Sequence, residues 1–143
     1  MGNKEEQPKA SEIILEKMIR DGGTVIVRTL NGEDFNVTIS SDTKTFETKK
    51  LGTKKYRFDV FDVIIDLLQE NNGKAQKGAG RGKDCKLGQA KCGLGTVVGA
   101  VAYRYEGAEI GKSIFDPVFV LAAILDWAEI CYNKRGFIEL RRK

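Results

Sequence analysis

The dipeptide Asn31-Gly32 constrains the fold more than any other feature of this chain. The runs on either side, 24–30 and 33–39, are rich in β-branched side chains, and Asn-Gly accepts the left-handed backbone of a tight hairpin. The pattern predicts a two-residue type I′ turn. Pairing outward from that turn sets Arg28 opposite Phe35, Ile26 opposite Val37 and Thr24 opposite Ile39. Ile26, Leu30, Phe35, Val37 and Ile39 then share one face, with Arg28 on the same side.

Helices are expected around this hairpin. Ser11 reads as the N-cap of a helix ending near Arg20, closed by Asp21-Gly22-Gly23. A second, more polar hairpin is expected over 44–50 and 54–58, around Leu51-Gly52. Asp59 reads as the N-cap of an apolar helix to about Glu70. Asp62, Asp66 and Glu70 recur there every fourth residue, as a solvated face would. Asn71-Asn72-Gly73 ends it. The stretch 96–105 leans towards helix. Asp116-Pro117 opens the strongest helix, predicted to run to about Asn133 with residues 118–125 apolar on every side. A short strand over 137–140 follows. Residues 1–10 read as a disordered tail, and 11–143 as a single α+β domain.

Composition excludes several functions. The longest strictly apolar run, 118–125, is too short to cross a bilayer, and no apolar stretch follows the polar start as in a signal peptide. No membrane partner is expected. The cysteines number 3, an odd set that argues against a disulfide framework and fits a reducing, cytoplasmic compartment. The histidine count of 0 removes the commonest general base and the usual zinc ligand. No catalytic residue, cofactor or metal site is therefore assigned, and the chain reads as a non-enzyme.

The formal net charge of +4 hides a strong segregation. Residues 44–57 hold Lys44, Lys49, Lys50, Lys54, Lys55 and Arg57 against Glu47 alone. Residues 73–91 hold Lys74, Lys77, Arg81, Lys83, Lys86 and Lys91 against Asp84. Residues 132–143 hold Lys134, Arg135, Arg141, Arg142 and Lys143 against Glu139. Such separation points to an electropositive surface for an anionic partner. The segment 73–95 is also rich in glycine and shows no hydrophobic period, so it reads as a long basic loop.

Some motifs carry little. Gly107 to Ser113 is one residue too short to be a phosphate-binding loop. Gly93, Gly95 and Gly99 lack the preceding strand and the spacing of a dinucleotide fingerprint. Cys85 and Cys92 are too far apart for a zinc knuckle. Asp34 with Glu47-Thr48-Lys49 resembles the carboxylate and acid-x-Lys set of Mg²⁺-dependent nucleases, in which two carboxylates hold the metal and the lysine orients water. A solvated hairpin face accounts for the same residues. The last half resembles a helix-turn-helix with a wing, built from 59–70, 96–105, 117–133 and 137–142. The helix at the recognition position opens on Pro117, Val118, Phe119 and Val120, which suit a core and not base edges. The arrangement would be a degenerate winged helix.

The resulting expectation is a nucleic-acid-binding protein touching phosphates through Lys74, Lys77, Arg81, Lys83, Lys86, Lys91, Arg141 and Arg142. A regulator or inhibitor that docks on an acidic protein surface, and a Mg²⁺-dependent nuclease, are the alternatives. The sequence does not set the oligomeric state.

Overall fold

The computed structural model describes residues 8–79 and 85–141. They form a mixed α+β architecture of four helices and two antiparallel sheets. In chain order come α1 (Ala10–Arg20), β1 (Thr24–Arg28), β2 (Asp34–Ile39), β3 (Thr45–Glu47), β4 (Tyr56–Arg57) and α2 (Val60–Glu70). Then follow β5 (Lys74–Gln76), α3 (Val97–Ala100), α4 (Val118–Trp127), β6 (Cys131–Lys134) and β7 (Phe137–Leu140). One sheet has the order β1-β2-β3-β4, the other β5-β7-β6.

The first hairpin forms where expected but one register away. Thr29 N–H donates to Glu33 O and Gly32 N–H to Thr29 O, both at 2.9 Å, which closes a three-residue loop. Only Gly32 of that loop adopts positive φ, at 90°, as in a hairpin with a glycine bulge. The register therefore pairs Val25 with Val37, Val27 with Phe35 and Arg28 with Asp34. This corrects the expected pairing, and a one-residue slip turns every β1 side chain over. Val25 and Val27 enter the core with Phe35 and Val37, while Ile26 is 64% exposed and Leu30 45% exposed. The alternative would place Arg28 in the core opposite Phe35. The slip instead sets it on the outer face, 2.8 Å from Asp34.

The acidic stripe of α2 is not a simple solvated face. α1 starts at Ala10, one residue before the expected cap, so Ser11 lies inside the helix. Its N–H and hydroxyl donate to the Asp62 carboxylate at 2.9 and 2.7 Å and tie α1 to α2. Glu70 accepts from both terminal guanidinium nitrogens of Arg104, at 2.9 and 2.8 Å. Asp59 holds the N-cap position, yet its carboxylate faces Arg57 at 3.2 Å and makes no cap hydrogen bond. The stretch 96–105 is helical, as α3 followed by a π turn at Val101–Tyr105. That turn carries Tyr105, which stacks on the buried Tyr56 ring with centroids 5.5 Å apart.

α4 is buried from Val118 to Leu125 except at Phe119. It ends at Trp127, well short of Asn133, because Glu129 takes left-handed φ (63°) and turns the chain into β6. Asp126 then accepts from Asn133 N–H at 2.8 Å and holds the new strand against the helix end. Lys17 of α1 donates to the Trp127 carbonyl at 2.8 Å, a cation at a helix C-terminus.

The segment 73–95 also departs from expectation. Its start is β5, paired with β7, and its end is a 3-10 turn at Ala90–Cys92. Cys85 and Cys92 form a disulfide, and Leu87 between them is buried. The expectation drawn from an odd cysteine count is corrected: two cysteines pair, and Cys131 stays free and buried. Cysteine usage therefore gives no support to a reducing compartment. Close packing requires glycine at Gly78 and Gly99. A Cβ on Gly99 would collide with the Gly93 carbonyl. Among the described residues, no helix is long and apolar enough to cross a membrane.

Candidate functional site

One cation from each of the three basic segments lines a single cavity of about 460 Å³. Lys50 comes from the first, Lys77 from the second and Arg135 from the third, joined by Glu33, Asn133 and Phe119. The cavity lies between the β1–β2 loop and the β6–β7 turn. Its size falls within the usual range of small-ligand sites.

Local structure places each cation. Lys50 follows β3 in the 3-10 turn Lys49–Leu51, whose cap Thr48 accepts from Lys50 N–H at 3.4 Å. Its ammonium lies 2.6 Å from Glu33, so one carboxylate already faces it. Lys77 follows β5. Its N–H donates to Gly136 O at 2.9 Å and its carbonyl accepts from Val98 N–H at 3.0 Å, which fixes the backbone on both sides. Arg135 leads the β6–β7 turn, and Gly136 supplies the positive φ (87°) that the turn needs.

Lys77 is partly desolvated and feels the charge of Arg135. Burial, reinforced by the Arg135 charge, holds Lys77 below the ordinary lysine range, and Asp116 opposes the shift. An anion entering between Lys77 and Arg135 would relieve their mutual repulsion. Asn133 forms part of the floor. It is 7% exposed, and its side-chain oxygen accepts no hydrogen bond among the described residues. Phe119 lies at the rim, 38% exposed on an otherwise buried helix.

Of the residues assigned from sequence that are among the described residues, Lys77 alone lines this cavity. Lys74 is exposed on β5, with its ammonium 4.4 Å from the Phe137 ring centroid. Lys86 is exposed and bridges to Ser113, and Lys91 is exposed beside the disulfide turn. Arg141 is engaged internally: it donates to Asp126 at 2.8 Å and covers the Tyr132 ring at 4.4 Å. Arg81, Lys83 and Arg142 lie outside the described residues. Lys50 and Arg135 were not assigned from sequence. The sequence carries a signal for Arg135, since Arg135-Gly136 sits between two short β-compatible runs, but the helical pattern leading to Asn133 masks the first of them.

The nuclease-like residues are not assembled. Glu47 and Lys49 border one surface depression, whereas Asp34 borders another and is paired with Arg28. Glu47 faces Thr38, four positions along β2 from Asp34, a separation of roughly 13 Å. Among the described residues, no group of three or more acidic or cysteine side chains is placed to hold a metal ion. In the stretch resembling a phosphate loop, Gly111 N–H donates to Leu87 O, and Lys112 O accepts from Leu87 N–H, both at 2.9 Å.

Comparison with protein-family models, with curated proteins and with solved structures finds no match for this chain.

Proposed function

We propose that this protein is a non-enzymatic nucleic-acid-binding protein that contacts phosphates, with its principal contact at the Lys50, Lys77 and Arg135 cavity. The observation that carries the reading is convergence: cations from three separate basic segments meet in one concavity. Phosphate neutralisation by Lys and Arg supplies most sequence-independent affinity for nucleic acid. Lys74, Lys86 and Lys91 are exposed as well and free to add sequence-independent phosphate contacts.

The C-terminal half supports a winged-helix-like reading through its element order. α2, β5, α3, α4, β6 and β7 follow one another, and the sheet order is β5-β7-β6. In this reading α4 serves the core, and phosphate contact passes to the strands and turns around it.

Fluorescence anisotropy with labelled single strand and duplex tests the proposal. The triple variant Lys50→Ala, Lys77→Ala, Arg135→Ala should weaken binding across sequences and flatten the salt dependence by roughly one log-log unit per lost phosphate contact. Failure of the parent protein to bind either nucleic acid at about 50 mM salt, even at tens of micromolar, would remove the reading.

A second reading, docking on an acidic protein surface, is favoured by Leu30 (45% exposed), which lines the same cavity, and by Ile26 (64% exposed), which lines the neighbouring depression with Arg28. It predicts that Ile26→Asp abolishes capture of the partner while affinity for both nucleic acids stays negligible.

A further inference from the structure

We infer that the cavity takes single-stranded nucleic acid, with one phosphate between Lys77 and Arg135 and the adjoining base on the Phe119 ring; this rests on the nucleic-acid reading above. Shape argues first. Lys77 is partly buried and Asn133 almost wholly so, within a concavity between two hairpins. The phosphates of a duplex run along a stiff convex surface and meet exposed cations best. A flexible single strand can turn one nucleotide into a recess.

The aromatic rings argue second. Base stacking on aromatic side chains is the usual source of sequence-tolerant single-strand affinity. Tyr132 already carries Arg141 at 4.4 Å, and Phe137 carries Lys74 at 4.4 Å. Among the described residues, no ring or cation stacks on Phe119, which lines the cavity and is 38% exposed. Leu30, 45% exposed, supplies an apolar wall to the same space.

Charge argues third. A bound nucleotide brings a phosphate, and phosphate neutralisation by Lys and Arg supplies affinity whatever the base. Glu33 opposes Lys50, which leaves Lys77 and Arg135 as the pair facing the phosphate.

The test compares a fluorescein-labelled single strand of about 12 nucleotides with the duplex of the same sequence, using the full chain. The single strand should bind at least about tenfold more tightly. Phe119→Leu, which keeps apolar bulk but loses the π face, should weaken single-strand binding between about fivefold and a hundredfold. Phe119→Tyr, which restores the π face, should recover it. Duplex binding as tight as single-strand binding, or single-strand affinity unchanged in Phe119→Leu, would overturn the inference and leave the broader reading standing. Binding to neither would overturn both.

Discussion

Val27 faces Phe35 across the first hairpin, and both side chains are buried. This pairing makes the register measurable. Val27→Ala should cost about 1–3 kcal/mol, because the side chain leaves the core. Ile26→Ala should stay within about 0.5 kcal/mol, because Ile26 projects outward. Urea midpoints measure both. The reverse ranking would restore the two-residue turn and move Ile26 into the core.

That hairpin also shows what the sequence carried. Its location was legible from Asn31-Gly32, as was the helix boundary at Asn71-Asn72-Gly73, because local backbone chemistry decides both. The register was not legible. Both β1 faces offer apolar residues, and the choice depends on whether Arg28 meets Asp34 or the core. Tertiary contacts decided the end of α4 as well: Asn133 leaves the helix to pair with Ile138, and Asp126 secures it there. The site was legible in charge and not in place. Lysine is dense over 73–91, whereas convergence depends on how two hairpins face each other. No local pattern in the chain encodes that.

Stability should fall at alkaline pH, for a reason centred on Cys131. Burial pushes its thiol up to about 12, helped by the Asp126 charge and opposed by Arg141. In the unfolded chain a thiol titrates near 8.5. The folded value is the higher one, so this contribution is complete below about pH 8.5 and is lost as pH rises towards 12. Within that window one such group lowers stability by about 1.4 kcal/mol per pH unit. Tyr56 adds to the decline at higher pH: burial, and then Glu106, which accepts from its hydroxyl at 3.2 Å, raise it above the usual phenol range. Denaturant midpoints from about pH 8 to 10 should therefore fall in the parent and stay flatter in Cys131→Ala. The same slope in both proteins would show that the thiol is not responsible.

The last prediction concerns the Cys85–Cys92 disulfide, which closes a short loop of sequence separation 7. Inside it, Gly88 N–H donates to Cys92 O at 3.1 Å, Cys92 N–H donates to Gln89 O at 2.9 Å, and Leu87 is buried. Outside it, Leu87 reaches Lys112 and Gly111 through backbone hydrogen bonds, and Lys86 bridges to Ser113. The crosslink thus fixes one wall of a small lobe built from 85–92 and 110–113. A loop this short gains about 2–3 kcal/mol from chain entropy when closed. Reduction, or Cys85→Ser with Cys92→Ser, should lower stability by about that amount. Amide exchange should quicken first at Leu87, Gly88 and Gly111, whose N–H groups hold the lobe. The β1–β2 and β6–β7 hairpins should keep their protection, since they make their hydrogen bonds elsewhere. Thiol counting gives an independent check. Denatured, unreduced protein should react at Cys131 alone, and reduction should expose Cys85 and Cys92 as well. If all three cysteines react before any reductant is added, the lobe holds without its crosslink and the expected loss of stability disappears.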